Sequence, residues 1–472
     1  MKSILLYSLL SVTAPTEQAP TPLAPTLSGK IEISIKQGTM DADFKLSNIP
    51  RIKDYVIFLN AGFNVQYFRD REDSFNYGYR KQYDNSQSYE SFGYYFPDNT
   101  GEAKFLPKSL QFKYTGKFPV IDNMERASEV GDWKGNIAFN GKTVRADGLQ
   151  AGWYPVLYDI KKDKRYEELA YDIEVTCLDC KTIHVNGSKP VSDTSATFKR
   201  SEPVQLTLFA GDYEVDEYKG NYYLNAGLSK SQMKSLGGMT SDYIAFLETK
   251  LNLPYGENVV YVQTAPVTKR NSWLFVSYPS IFRISPEEGG LSSIVDSDKS
   301  SWFKPFIAHE LAHYYFGTYR SFNSELGDML NESISEYLSL VITKQFISVE
   351  DYNKGINKKF KQLGGETLTP MSDVKSSSDY GNRNDYVYTY APVIWLAVEK
   401  EIGEEKMWQW LHKLLTTPAD KTNYRFILDS LREVVNDDIK FASIVERYLS
   451  SGQAIANSKA VLATDAAQIA AP

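Results

Sequence analysis

His309-Glu310-Leu311-Ala312-His313 sets two imidazoles four residues apart with a carboxylate beside the first, and Glu332 follows after eighteen intervening residues. On a helix, side chains at i and i+4 leave one face about a turn apart, so both imidazoles can reach a single ion at roughly 2.0–2.1 Å. Glu332 would be a third ligand, leaving a fourth position open for water, and Glu310 is free to act on that water as a general base. The pattern points to zinc-dependent peptide hydrolysis, with one zinc ion per chain held by His309, His313 and Glu332. The whole chain has four histidines, so two in one pentapeptide do not reflect a His-rich background.

Those ligands need two helices. Trp302, Phe303, Phe306 and Ile307 precede the first pair at helical spacing, and Pro305 is tolerated in a first turn, where a missing N–H is no loss. Gly317 is the expected C-terminal cap, followed by a polar loop over 318–324. A second helix is expected from about 325 to 346, because Leu326, Leu330, Ile334, Tyr337, Leu338 and Val341 recur at three- and four-residue steps. Glu332 and Glu336 share a different face of that helix.

Residues 309–317, HELAHYYFG, resemble the HELAHQWFG of gluzincin metallopeptidases of the aminopeptidase N family, with Tyr314 and Tyr315 replacing Gln and Trp. Leu330-Asn331-Glu332 matches that family's L-N-E, and the eighteen-residue gap is the family's. Residues 331–336 also resemble the N-E-x-x-S-D of thermolysin-type enzymes, whose gap is one residue longer. The resemblance implies that Glu336 accepts the free imidazole N–H of a ligand histidine and fixes its tautomer. It further implies a tyrosine that donates to the oxyanion of the tetrahedral intermediate. The segment 386–396 aligns with the family's Y-x-K-G helix start and puts Tyr388 in that role, with Tyr386 and Tyr390 as alternatives, since Tyr390 and Ala391 replace Lys and Gly. Two family features are missing. No G-x-M-E-N string is present to bind a substrate's amino terminus, and the corresponding edge strand, expected over 274–282, contains no carboxylate. The large helical carboxy-terminal domain of many members is also expected to be missing, and the resemblance covers about residues 27–450.

At 472 residues the chain can hold two or three domains, and its 42% apolar content suits a globular protein. A net charge of −7 with no basic stripe excludes general attraction to nucleic acid or anionic lipid. Lys2 followed by the apolar run 4–12 reads as a secretory signal, too short for a transmembrane anchor. Residues 1–26 are thus expected to be a signal peptide and a proline-rich linker, and the protein to be exported to the periplasm, the cell surface or the medium. Cys177 and Cys180, the only cysteines, read as a hairpin-turn disulfide or two plain thiols, with a redox motif or half a zinc site as alternatives.

The fold class expected is α+β. Residues 27–205 read as an all-β sandwich or saddle, from short alternating runs broken by Gly, Asn, Asp and Pro; residues 206–450 read as a thermolysin-like, mostly helical catalytic domain; and residues 451–472 read as an Ala-rich tail with no clear partner, expected to fray. The expected partner is a peptide substrate. Two other readings remain open on the residues alone: a surface binding protein with a structural or vestigial zinc site, and an endopeptidase of the same fold.

Overall fold

The structure, a computed structural model, describes residues 24–71, 73–80, 90–127, 129, 137–148, 151–162, 164–264, 266–269, 273–277, 279–284, 290–364 and 367–469. The proposed signal segment falls outside these residues, apart from 24–26 of the linker. Along Thr26–Ser34 and Thr39–Ser47 side chains alternate: Ile31, Ile33, Met40, Ala42, Phe44 and Leu46 point inward while charged neighbours point out. Gly38 makes the turn between them at φ +66°, where a Cβ would lie 2.3 Å from the Phe118 carbonyl oxygen, so only glycine fits. The first strand also pairs in parallel with Glu168–Cys177, which places it inside a seven-stranded sheet. A five-stranded and a four-stranded sheet complete this amino-terminal β structure, the latter including Leu208–Gly211. Their shared core holds Trp153 and Tyr114 with polar atoms satisfied, Trp153 Nε1 donating to Leu206 O at 3.0 Å and Tyr114 Oη to Trp153 O at 2.8 Å. The dense aromatic run after Tyr67 is used for packing: Phe68 meets Tyr77, Tyr94, Phe96 and Phe112 with ring centroids 5.0–5.5 Å apart.

The chain then forms a five-stranded sheet in the order Val215–Tyr218, Asn221–Leu224, Val260–Thr264, Ser280–Ile284, Trp273–Ser277. The inner three strands run parallel and the two outer ones antiparallel to their neighbours. The single edge strand expected over 274–282 is in fact a hairpin, because Pro279 interrupts the run. Its outer strand is Trp273–Ser277, and neither strand carries an acidic residue.

Helix α1 (Lys230–Leu251) connects the strands Asn221–Leu224 and Val260–Thr264, and further helices follow the sheet: α2 (Ser297–Ala312), α3 (Gly327–Ile342), α4 (Val349–Leu363), α5 (Ala391–Ile402), α6 (Glu404–Thr416), α7 (Tyr424–Val435), α8 (Asp438–Ile444) and α9 (Ala454–Ile469). The whole is α+β, a β domain followed by a helical one. Helix α3 is central: Met329, Leu330, Ile334, Tyr337 and Leu338 are fully buried, as is Leu326 just before it. Truncating one of its leucines to alanine would cost about 2–5 kcal/mol. The Ala-rich tail has a partner after all, since α9 packs on α5 and buries Ala454 and Ser458. No helix among the described residues is long and apolar enough to cross a membrane.

The β domain is tied to the helical half by polar contacts, one part-buried and one buried. The Arg200 guanidinium pairs with Glu257, and His184 Nε2 lies 3.0 Å from Ser280 Oγ, which donates to Asn186 Oδ1 at 2.7 Å.

Candidate metal centre

Helix α2 starts earlier and ends earlier than its sequence suggests. It begins at Ser297, so Pro305 lies inside it rather than in its first turn, and Ser339 Oγ of α3 donates to the Pro305 carbonyl at 2.5 Å. It ends at Ala312, not at Gly317, because the chain tightens there: Tyr314 N–H bonds to Leu311 O and Tyr315 N–H to Ala312 O. That tightening folds the Phe316 carbonyl back to 3.1 Å from His313 Nδ1. Helix α3 faces α2 with Ser335 and Ser339, both buried and small enough for close approach, while Trp395 Nε1 of α5 donates to Ser333 Oγ at 2.7 Å.

The two helices bring His309, His313 and Glu332 together. His309 Nε2 and His313 Nε2 are 3.0 Å apart, and each is 3.4 Å from Glu332 Oε2. Two ligands on a tetrahedral ion at about 2.05 Å stand about 3.3 Å apart, so the three spacings match the edges of one coordination tetrahedron. The far side of each ring fixes its tautomer. His309 Nδ1 faces a Glu336 oxygen at 3.0 Å, an acceptor, and so carries the proton. His313 Nδ1 faces Phe316 O and, at 3.2 Å, Ser335 Oγ, whose own proton goes to Asn331 O; both partners accept, so this Nδ1 is also the donor. Two neutral rings then turn Nε2 lone pairs toward a carboxylate oxygen, three acceptors aimed at one point. A divalent cation fits that point. With protons alone to balance the charges, the Glu332 and Glu336 carboxylates outweigh burial, which alone would push His309 down, and lift it to about 10. Burial also pushes His313 down and is outweighed by the Glu332 carboxylate, so that it too moves up, and Glu332 is held well below the usual carboxylate range, the two imidazoles outweighing a burial that alone would raise it.

Beyond the ligands, each carboxylate of α3 meets a cation. Glu332 Oε1 accepts from Arg383 Nη2 at 3.2 Å, and the Asp328 carboxylate, one turn earlier, fixes Arg383 through two bonds of 2.6 and 2.7 Å. Glu336 pairs with Lys359 of α4 through the oxygen not turned to His309. Glu310 is half-buried beside His309, and its charge acts on that ring. The Tyr388 ring lies 5.9 Å from the His309 ring and 5.6 Å from the Arg383 guanidinium carbon. Burial and the Glu332 charge push its phenol upward in pKa, with Arg383 opposing. Tyr386 instead donates to Thr369 O at 3.0 Å and stacks on Tyr380. The Tyr390 hydroxyl is buried without a hydrogen-bond partner among the described residues.

Sequence reasoning missed Arg383, Asp328 and Lys359. Lys359 left a signal: on α4 the residues facing inward are Ile356 and Leu363, and a lysine three residues after one and four before the other stands on the same stripe. Nothing in the pattern around Arg383 marks it. Cys177 and Cys180 form a disulfide, and the Asp179 carboxylate between them accepts from Ile35 N–H, Lys36 N–H and Ser34 Oγ, so the trio caps a turn and the half-zinc-site alternative falls away.

No family model matches the chain, and no curated protein matches it in sequence. Solved structures do resemble it. Leukotriene A4 hydrolase from Saccharomyces cerevisiae aligns with a TM-score of 0.62 and 13% identity over 92% of this chain and 70% of that one. An M1 zinc metallopeptidase from Deinococcus radiodurans aligns with a TM-score of 0.53 and 12% identity over 89% of this chain and 92% of that one. At such identities the likeness is one of fold: this chain shares the α+β architecture of those two structures, a β domain followed by a helical domain.

Proposed function

We propose that the protein is a zinc-dependent peptidase of the aminopeptidase N type, exported from the cell, acting on peptide substrates with one zinc per chain. The observation that carries this reading is the convergence of His309 Nε2, His313 Nε2 and Glu332 Oε2 with both Nδ1 atoms already committed elsewhere. When bound there, zinc would lower the pKa of a water toward about 7 and polarise a peptide carbonyl. The Glu310 carboxylate takes the proton from the attacking water and returns it to the leaving amine nitrogen. Tyr388 donates its phenolic proton in a hydrogen bond to the oxygen that gains charge, an interaction worth most in the transition state. Glu336 keeps the His309 proton on Nδ1, and Arg383 occupies Glu332 Oε1, leaving Oε2 as the oxygen that would hold the ion.

A general base has no task in a purely structural site, which favours the enzyme over a binding protein. The Cys177–Cys180 disulfide supports an oxidising compartment, in line with the signal-like amino terminus. The edge strand Trp273–Ser277 contains no acidic residue to pair with a substrate's ammonium group, and that observation favours an endopeptidase as the second reading. The test is to incubate the protein and its Glu310→Gln variant with peptide pools bearing free or acetylated amino termini, reading products by mass spectrometry. Stepwise loss from free termini alone supports an aminopeptidase, and internal cleavage of both pools supports the endopeptidase. Zinc-bound protein that cleaves neither pool, or a variant as active as wild type, would overturn the proposal.

A further inference from the structure

Tyr388 belongs to a π-helical turn, Tyr386–Tyr390, in which Ala391 N–H reaches back five residues to Tyr386 O. An ordinary helix would satisfy the Tyr388 carbonyl with the N–H of residue 392, but that residue is proline and has none. Lys359 Nζ supplies the bond instead, at 2.7 Å. The same ammonium pairs with Glu336, whose other oxygen holds His309 Nδ1. Its side chain is only 12% exposed and is held on the inner stripe of α4, so both bonds form where water competes weakly. One ammonium therefore joins the backbone of the candidate oxyanion donor to the partner of a metal ligand.

We infer that Lys359 is a positioning residue that sets Tyr388 and His309 in one register, so that the oxyanion donor and the metal keep a fixed separation. The inference rests on the zinc-peptidase reading above. Removing the ammonium by Lys359→Met frees the Tyr388 carbonyl and leaves Glu336 facing His309 without its counter-charge. Two measurements follow, on Lys359→Met, Lys359→Arg, Tyr388→Phe and the Lys359→Met/Tyr388→Phe double variant. Chelator competition reads zinc affinity without reference to turnover; Lys359→Met is expected to weaken it about 10- to 100-fold. Steady-state kinetics at saturating zinc are expected to show kcat falling in Lys359→Met with KM little changed, part of the loss recovered by Lys359→Arg, and no further fall in the double variant beyond Tyr388→Phe alone. Should Lys359→Met fail to fold, Lys359→Gln takes its place with the same expectation for zinc. Wild-type zinc affinity in the charge-removed variant, or kcat losses that simply multiply in the double variant, would overturn the inference while leaving the peptidase reading intact. A wild-type protein that bound no zinc would overturn both.

Discussion

Arg200 and Glu257 join the β domain to the helical half, and the loss of that pair is calculable. Their side chains are 11% and 15% exposed, and Arg200 also donates from Nη1 to Gly187 O at 3.0 Å and from Nε to Glu202 O at 2.9 Å. Replacing Arg200 by methionine keeps most of the side chain's apolar bulk but leaves the Glu257 carboxylate nearly buried without its guanidinium. It also strips two carbonyls of donors. Breaking a buried pair from one side costs about 3–5 kcal/mol, and the residual exposure argues for the lower end, about 3 kcal/mol. Replacing both partners by apolar residues removes the uncompensated charge, so Arg200→Met/Glu257→Leu should lose only about 1 kcal/mol. The coupling between the two sites is then about 2 kcal/mol or more, measured by urea unfolding of the wild type, both single variants and the double. Gly256 N–H donates to Tyr314 Oη at 2.9 Å, so the loosened corner adjoins the residue after His313, yet zinc content should stay at wild-type level. A coupling below about 0.5 kcal/mol would refute the reasoning, because it would mean the pair is as weak as an exposed one.

Glu336→Gln keeps the side chain's shape but removes the charge facing His309 Nδ1, and should weaken zinc binding about 10- to 100-fold, equivalent to about 1.4–2.7 kcal/mol; unchanged affinity in a chelator competition would count against its role. His184, buried against Phe209, has its pKa pushed down by burial from 6.5 to about 3. Its folded value lies below its unfolded one, so its contribution to stability is complete above pH 6.5 and is lost as pH falls toward 3. His184→Asn should therefore flatten the acid limb relative to wild type, by about 1.4 kcal/mol per pH unit within that window; parallel limbs in urea titrations at pH 7, 5.5 and 4.5 would contradict it.

How much could be read from the sequence depended on whether a feature is local. The helix of Glu332 was legible because its apolar stripe keeps one period over four turns, and the pentapeptide because its spacing is its chemistry. The ends of α2 were not legible. Pro305 resembles a first-turn proline by rule, but the residues before it also fold as helix, and the chain turns off at Ala312 in a tight bend that gives His313 a carbonyl partner. The edge strand was misread for a related reason: two short antiparallel strands of similar composition look like one run unless the proline between them is weighed. Arg383 comes from a short polar turn fifty-one residues beyond Glu332, and only the three-dimensional fold brings the two within 3.2 Å. A pairing of that kind leaves no periodic trace. The tyrosines divide in the same way, since Tyr386, Tyr388 and Tyr390 share one sequence neighbourhood and only their different neighbours in space, Thr369 and Tyr380 for the first and His309 and Arg383 for the second, tell them apart.

Anomalous diffraction at the zinc absorption edge, from crystals of the protein as isolated, asks whether His309, His313 and Glu332 hold a metal. One peak per chain is expected, about 2.0–2.1 Å from the Nε2 atoms of His309 and His313 and within bonding distance of Glu332, with no fourth protein ligand. Absence of a peak at that point in zinc-replete crystals, or a metal closed off by a fourth side chain, would contradict it.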